Sequence, residues 1–374
     1  MAQRVFLHVG CPKTGTSFLQ GVVWSNRAAL RQQGLAVPAS MRHHYRATLF
    51  IRQVWSKRST GAAIAADWEH LVSLVRRSNK DVLITHELLG PASAAQASLA
   101  IETLGGLETH VIITARDMAR QLPASWQQGV KHGGTRHLQD FLHEVVERGP
   151  NARWFWRAQD LVDVARRWGG SLPAGNVHFV TVPPKAADSA VLWSRFASVI
   201  DIDPDTVDLD QARRNESLGR VEVELLRQIN EVRVKRSEVI TDQRWFKDTL
   251  AKQILAQRTE AVKGISLPET IHEWIRQTSH DTVDAISQQG YDVVGDLADL
   301  IPSEQPNTGG PGPAKTDPSD LLLTAEETIV DLMDVHRRAV KDNNRLTGLT
   351  ESQQRTIERL RRELEGERAD TAAP

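Results

Sequence analysis

A short loop near the beginning of the chain has residue types that could hold a small anion. Two glycines, Gly10 and Gly15, stand five positions apart, and a lysine, Lys13, lies between them. An apolar run precedes the loop and an amphipathic stretch follows it, which predicts a buried strand, a tight turn and the N-terminus of a helix. The unpaired N–H groups and the helix dipole at such a junction favour a phosphate or sulfate group.

The position of the lysine distinguishes this loop from the Walker A phosphate loop. In that motif a lysine directly follows the second glycine, and the next hydroxyl residue binds Mg²⁺. Here Thr16 occupies the position of that lysine, and the cation, Lys13, lies in the middle of the loop. An ammonium group there can approach the bridging oxygen between two groups of a short anion. Such a site neutralises charge with lysine and hydroxyl groups and has less need of a metal ion.

The loop resembles the 5′-phosphosulfate loop of sulfotransferases that use 3′-phosphoadenylyl sulfate (PAPS). The resemblance rests on the run Pro12-Lys13-Thr14-Gly15-Thr16-Ser17-x-Leu19. It implies a set of cofactor-binding residues: Pro12, Lys13, Thr14, Gly15, Thr16 and Ser17. It also implies a catalytic role for Lys13, which would stabilise the charge that develops on the leaving oxygen. The ordinary alternative is a glycine-containing turn between a strand and a helix.

A second segment resembles the 3′-phosphate motif of the same family. Arg116 directly follows the apolar run 109–115, and Ser125 comes nine positions later. In the family, an arginine and a later serine hold the ribose 3′-phosphate, and the physics fits, because a guanidinium forms a bidentate charged contact with phosphate. An Arg-Asp pair after a strand is often a plain ion pair. The expected distance from the first motif favours the phosphate site.

Candidates for a general base follow another apolar run, 81–85. His86 and Glu87 come directly after it, and both residue types can take the proton of an acceptor hydroxyl. Bacterial members of the family often carry a glutamate at this place, which favours Glu87, whereas His86 stands where they have a small residue. A carboxylate that only stabilises a helix dipole is the alternative.

Two weaker candidates come from further resemblances. His44 lies in a segment similar to one that lines the acceptor pocket of relatives, and an exposed helical histidine is the equal alternative. Ser217 lies in a segment, 215–219, similar to a late cofactor-binding segment. It could equally be a plain helix N-cap.

The elements that must position these residues alternate along the chain. Buried strands are predicted near 5–9, 81–85, 109–115 and 177–182, with a short edge strand at 35–38. Helical stretches, among them 16–33 and 153–168, separate the strands. This alternation predicts an α/β fold: a P-loop-like three-layer fold with a central parallel sheet flanked by helices. Ligands of such sheets bind beyond the carboxyl ends of the strands. The predicted sulfotransferase domain spans 1–302.

A linker and a long charged helix follow this domain. Residues 303–319 are rich in proline and glycine and predict a flexible linker. Over 320–374 apolar residues recur with a period of seven, which predicts a coiled-coil helix outside the catalytic core and homo-oligomerisation through it. One seam contains Leu322, Ile329, His336, Asn343, Thr350, Ile357 and Leu364, and the other Ala325, Leu332, Ala339, Leu346, Gln353 and Leu360. A single solvated helix is the alternative, because the middle of the seam is polar.

The bulk composition excludes several classes of protein. With 374 residues, a formal net charge of −1 and a pI near 6.9, the chain has no global attraction to nucleic acid or to an anionic membrane. The lone cysteine, Cys11, excludes an intrachain disulfide and is typical of a reducing compartment. No apolar run reaches membrane-spanning length, so we expect a cytoplasmic protein like the soluble bacterial members of the family. No His/Cys cluster has metal-ligand spacing, and no metal is expected.

The favoured hypothesis is an enzyme that moves a sulfuryl group from PAPS to a hydroxyl or amine and releases adenosine 3′,5′-bisphosphate (PAP). The acceptor could be a carbohydrate, a glycolipid or a small natural product, and the sequence does not select among them. One alternative is a P-loop kinase, which would need a lysine at position 16 and an acidic Mg²⁺ ligand at a strand end. The other is a non-catalytic nucleotide-binding scaffold with an oligomerising coiled coil.

Overall fold

The fold is organised around a parallel β-sheet. The computed structural model describes residues 4–54, 61–184, 187–210, 218–236, 245–258, 265–302 and 316–371, with only the backbone for 61–63 and 363–371. The strands are β1 Arg4–His8, β2 Leu35–Ala36, β3 Asp81–Thr85, β4 Glu108–Ala115, β5 Val177–Thr181 and β6 Asp292–Val294. They form a six-stranded sheet in the order β2-β3-β1-β4-β5-β6, and every neighbouring pair is parallel.

Helices connect these strands and cover the sheet. They are α1 Thr16–Ser25, α2 Arg27–Gln32, α3 Met41–Ile51, α4 Gly61–Arg76, α5 Ala94–Thr103, α6 Met118–Lys131, α7 Leu138–Val146, α8 Arg153–Gln159, α9 Leu161–Gly169, α10 Ser189–Val199, α11 Arg220–Lys235, α12 His272–Ser287 and α13 Pro318–Thr371. A π-helix spans Phe246–Ile254. None of the helices within the described ranges is long and apolar enough to cross a lipid bilayer.

The two faces of the sheet pack into separate cores, which gives the fold its three layers. Successive side chains of a strand point to opposite faces, so Val5 and Leu7 enter one core and Phe6 enters the other. The first core packs against α3, α4, α5 and α9, and the second packs against α1, α2 and α10. The predicted α/β class with a central parallel sheet and helices on both faces is confirmed.

Two predicted helices are each divided in the structure at a residue whose side chain forms a hydrogen bond with the backbone. The helix predicted for 16–33 is interrupted at Asn26, whose side-chain amide donates to the carbonyl of Val22 at 2.9 Å. The helix predicted for 153–168 is interrupted at Asp160, whose carboxylate accepts from the N–H of Asp163 at 3.0 Å and caps α9. Asparagine and aspartate often compete with the helical hydrogen bonds in this way.

The C-terminal helix is long, as predicted, but its first turns do not stand apart from the globular domain. Leu321, Ala325 and Leu332 pack against the apolar cluster of α11 and the π-helix, and Thr324 and Thr328 are buried. The expectation that this helix lies outside the domain along its whole length is therefore wrong for these turns. Farther along, apolar side chains are exposed: Leu346, Leu349, Ile357 and Leu360. Most of the predicted linker lies outside the described residues, so the domain boundary stays a prediction.

Candidate active site

The sheet brings the three main sequence-predicted segments to one edge. The loop after β1 lies at the centre of this edge, because β1 pairs with β3 on one side and with β4 on the other. His86 and Glu87 follow β3, and Arg116 follows β4. The carboxyl ends of these neighbouring parallel strands therefore place the loop between the base candidates and the predicted 3′-phosphate residue.

The loop is fastened to β4 by backbone hydrogen bonds. The N–H groups of Val9 and Cys11 donate to the carbonyls of Ile112 at 3.0 Å and Thr114 at 3.1 Å. The hydroxyl of Thr14 donates to the carbonyl of Cys11 at 2.5 Å and lies 2.5 Å from the hydroxyl of Thr114, from which it then accepts. The side chain of Thr14 is thus used to hold the loop, and only its backbone is left for an anion.

The loop backbone depends on three residues with positive φ. Gly10 and Gly15 have φ values of 87° and 81°, and Lys13, with φ 69°, shares this left-handed conformation, which residues with side chains rarely adopt. A Cβ atom at position 10 would come within 2.8 Å of the Cα of Glu87, so glycine there permits close approach of that residue. Arg116 Nη1 donates to the carbonyl of Lys13 at 3.0 Å and holds the strained residue in place.

The N-terminus of α1 offers donors to a ligand. Gly15 is the N-cap residue and provides no side-chain acceptor. Among the described residues, none accepts a hydrogen bond from the backbone N–H of Thr16 or Ser17. The hydroxyl-bearing side chain of Thr16 is buried and that of Ser17 is exposed. These groups fit an anionic ligand, since the first N–H groups of a helix have no partner within the helix.

Arg116 and Ser125 carry buried polar atoms that have no partner among the described residues. These atoms are Nε of Arg116 and Oγ of Ser125. A buried polar atom without a hydrogen bond costs roughly 1–3 kcal/mol, so these two donors beside a phosphate-type loop are well suited to an anionic ligand. Burial, with the neighbouring Arg120, lowers the pKa of Arg116 to about 10, so its guanidinium is still charged at neutral pH. Both atoms fit the predicted 3′-phosphate contact.

The acidic residue that follows Arg116 is engaged in the fold. Asp117 caps α6 by accepting from the N–H of Arg120 at 2.9 Å, and it forms an ion pair with the Arg120 guanidinium. That guanidinium also donates to the carbonyls of Pro183 at 2.9 Å and Val182 at 3.2 Å. Asp117 is therefore not a free carboxylate at the strand end. Across the described ranges, no group of three or more His, Cys, Asp or Glu side chains is arranged to hold a metal ion.

The two base candidates, His86 and Glu87, differ in whether they have an atom available to accept a proton. Nδ1 of His86 accepts from the N–H of Leu88 at 3.2 Å, which places the proton of the neutral ring on Nε2. Burial is the main cause that lowers the pKa of His86, and Arg52 adds to it. Neutral His86 therefore has no free nitrogen to accept a proton.

The carboxylate of Glu87 is oriented by a hydrogen bond and stays ionised. Its Oε2 accepts from the side-chain amide of Gln20 at 2.9 Å. Burial acts to raise the pKa of Glu87, whereas His86 in its protonated form and the hydrogen bond from Gln20 act to lower it, and the net effect is a pKa below the ordinary value. Glu87 is thus a carboxylate at neutral pH, and the geometry favours it over His86 as the proton acceptor.

The weaker candidates have different outcomes. His44 is buried, its Nε2 donates to the carbonyl of Pro38 at 2.9 Å, and its Nδ1 accepts from the N–H of Thr85 at 3.2 Å. Both ring nitrogens are thus used within the chain, and the assignment of His44 to an acceptor pocket is corrected to a structural role. Ser217 lies outside the described residues, and its assignment stays a prediction.

A pocket of about 470 Å³ adjoins the loop on the side of α6 and α8. Lys13 and Ser125 line it next to the loop, and Trp126, Trp154 and Phe155 contribute aromatic walls. The two base candidates are not among its lining residues. The pocket therefore adjoins Lys13 and is enclosed mainly by residues of α6, α8 and the segment that follows α6.

Several basic residues near the pocket were not identified from the sequence. Lys131 and His132 end α6, and Nζ of Lys247, on the π-helix, donates to Nε2 of His132 at 3.0 Å. Burial and the nearby Lys13, Lys252 and Lys247 lower the pKa of Lys131 to about 8. No local motif marks these residues, because tertiary packing joins segments that are 115 positions apart.

Comparisons with known proteins give little further information. No family model matches the sequence, and no curated protein matches it. Among solved structures, a sulfotransferase from Alicyclobacillus acidocaldarius is similar, with 14% sequence identity and a TM-score of 0.38 over 67% of this chain and 97% of that chain.

Proposed function

We propose that the protein is a PAPS-dependent sulfotransferase, which moves a sulfuryl group from PAPS to an acceptor hydroxyl or amine and releases PAP. The observation that carries the proposal is the combination of a mid-loop lysine, Lys13, with the partnerless polar atoms of Arg116 and Ser125. A loop for nucleotide triphosphates would need its lysine at position 16, where this chain has Thr16. The two buried donors, Arg116 Nε and Ser125 Oγ, favour a nucleotide that carries an additional phosphate on its ribose.

The residues present fit the two anionic ends of PAPS. The N–H groups of Thr16 and Ser17, together with their hydroxyls, would hold the 5′-phosphosulfate at the N-terminus of α1. Arg116 Nε and Ser125 Oγ would hold the 3′-phosphate, since both are buried donors without a partner in the described chain. When bound, PAPS supplies an activated sulfuryl group on a bridging oxygen that must accept negative charge as the bond breaks.

Two side chains would then perform the chemistry. The ammonium of Lys13 would stabilise the charge on the leaving oxygen, and Arg116 supports the backbone of this residue through its carbonyl. Glu87, oriented by Gln20, would accept the proton of an acceptor group that reaches the loop. Burial and the nearby cations Arg116 and Lys247 lower the pKa of Lys13, which also makes its ammonium a better proton donor to the leaving oxygen.

A direct transfer experiment separates this proposal from its alternatives. The protein is incubated with PAPS radiolabelled in its sulfuryl group, and in parallel with ATP labelled at its γ-phosphate and Mg²⁺, against a panel of sugars, glycolipids and phenols. We expect label to move from PAPS to an acceptor with and without a chelator. Transfer from ATP alone, abolished by the chelator, would identify a kinase. Binding of PAP without transfer to any acceptor would identify a scaffold.

A further inference from the structure

Two glutamine side chains hold one carbonyl of the loop that follows β1. The Nε2 amide groups of Gln121, on α6, and Gln159, at the end of α8, donate to the carbonyl of Pro12 at 2.7 Å and 3.0 Å. Arg116 Nη1 donates to the next carbonyl along the chain, that of Lys13, at 3.0 Å. Side chains from outside the loop therefore fix the orientation of two successive peptide groups.

The orientation of these carbonyls determines where the matching N–H groups point. Both peptide groups are trans, and in a trans peptide the C=O and N–H groups point in opposite directions. The N–H of Lys13 therefore points away from the two glutamine amides, and the N–H of Thr14 points away from Arg116. Among the described residues, none accepts a hydrogen bond from either N–H group. Both groups are thus available to a ligand.

The backbone of Lys13 gives these N–H groups a concave arrangement. Its φ of 69° is left-handed, and successive N–H groups at such a residue form a nest that binds anions. Residues with side chains rarely adopt this conformation, so the donors that hold the carbonyls of Pro12 and Lys13 also keep the loop in it. The N–H groups of Thr16 and Ser17 continue the same set of donors at the N-terminus of α1.

The environment of Gln121 supports a role in the loop. Gln121 is buried, and its Oε1 has no partner among the described residues. Such an unpaired buried oxygen costs free energy, so the stability of the fold gives little reason for an amide at this position. The orientation of the loop does give a reason. Gln159, which is partly buried, lines the pocket next to Pro12 and Lys13.

We propose that Gln121 and Gln159 are positioning residues for the sulfuryl donor. By holding the carbonyl of Pro12, they leave the N–H of Lys13 to bind the 5′-phosphosulfate and keep the backbone from which the Lys13 side chain extends in its left-handed conformation. The inference rests on the proposed function, because it assigns the anion in the loop to the 5′ end of the nucleotide. It adds two residues, from α6 and α8, that lie outside the sequence motif of the loop.

Two nucleotides that differ at one end test the inference by binding alone. The protein is titrated by calorimetry with PAP and with adenosine 3′-phosphate, which lacks the 5′-phosphate, so the ratio of the two affinities reports the contacts that the loop makes. Methionine has nearly the shape of glutamine but donates no hydrogen bond. We expect Gln121→Met/Gln159→Met to lower this ratio by about 10–100-fold, and each single variant to lower it by about fivefold.

Gln127→Met is the matched control. This glutamine also lies on α6, but its amide donates to the carbonyl of Leu218 at 3.0 Å instead of to the loop. The control should keep the ratio within about threefold of the wild-type value. The preference for PAP over adenosine 5′-phosphate, which reports the 3′-phosphate contact, should also stay within about threefold in the double variant, since the loss belongs to the 5′ end.

Two outcomes overturn the inference while the proposed function stands. One is an unchanged ratio of PAP to adenosine 3′-phosphate affinity in the double variant. The other is an equal loss of affinity for both nucleotides, because glutamines that only stabilise the fold would weaken both alike. Thermal unfolding checks that each variant is folded. If the double variant does not fold, Gln159→Met, whose wild-type side chain is only partly buried, decides by the same criterion.

Inorganic pyrophosphate separates the inference from the proposed function, because it probes the loop without a nucleotide. If the wild type binds pyrophosphate but not PAP, the proposed function falls. The pyrophosphate affinity of the double variant then decides the inference: a loss of about 10–100-fold supports it, and an unchanged affinity overturns it. If the wild type binds neither ligand, both the proposed function and the inference fall.

Discussion

Replacing Arg116 with alanine tests the nucleotide site at one side chain. In the structure its Nη1 supports the carbonyl of Lys13 at 3.0 Å, and its buried Nε has no partner in the described chain. A charge-assisted hydrogen bond to a 3′-phosphate is worth about 1.5–3 kcal/mol, which corresponds to about 10–150-fold in affinity. Adenosine 5′-phosphate lacks that group, so the variant should weaken its binding only through the loosened loop.

The assay is calorimetric titration of wild type and variant with PAP and with adenosine 5′-phosphate. We expect the ratio of the two affinities to fall by about 10–150-fold in Arg116→Ala. Arg120→Ala is the control: its guanidinium is bound by Asp117 and two carbonyls, so the variant should lose stability but keep the ratio. A wild-type ratio in Arg116→Ala would place the 3′-phosphate elsewhere and refute the reasoning.

Ser125→Ala should lower the affinity for PAP about tenfold, as measured by calorimetric titration, because the wild-type hydroxyl is buried and has no described partner in the chain. For the same reason the variant should keep the wild-type free energy of unfolding. Burial lowers the pKa of His8 and of His44 to about 4 from 6.5, so the unfolded chain binds protons that the folded chain does not. Stability should therefore fall as the pH drops from 6.5 to 4, by about 2 kcal/mol for each histidine at pH 5, measured by urea unfolding. For α13, light scattering should show a dimer of the full chain at high concentration and a monomer when the chain ends at His336, since the exposed apolar residues beyond it need a second helix.

Each of these expectations has an outcome that contradicts it. A large stability loss in Ser125→Ala would mean that the hydroxyl serves the fold instead of a ligand. Equal unfolding free energies at pH 7 and pH 5 would show that the two histidines do not resist protonation. A full-length monomer at high concentration would refute self-association through α13. The chain ending at His336 keeps the turns that pack on the domain, so its PAP affinity should equal that of the full chain.

Most of the sheet could be predicted because its strands are local apolar runs. β3 was predicted at its observed bounds, 81–85, and β4 within one residue. β6 was not predicted as a strand, since only three residues, Asp292–Val294, pair with β5 and carry a weak pattern. The breaks at Asn26 and Asp160 depend on single side-chain hydrogen bonds, which periodicity does not reveal.

The candidate site could be proposed from the sequence where short motifs determine it. The loop around Lys13 and the residues Arg116 and Ser125 are each identified by neighbours in sequence. Their convergence then follows from the order of parallel strands. The structural role of His44 and the cluster of Lys131 with Lys247 depend on contacts between distant segments, so no local pattern could have identified them.

The most direct test of the central claim compares wild type with Lys13→Ala, using PAPS labelled in its sulfuryl group and calorimetric titration with PAP. The acceptor is the best one from the transfer panel, and the assay is run in the presence of a chelator. We expect transfer by the wild type, a loss of about 10²–10³ in turnover for the variant, and a smaller change in PAP affinity. Absence of transfer by the wild type to every acceptor, or equal turnover in Lys13→Ala, would contradict the account.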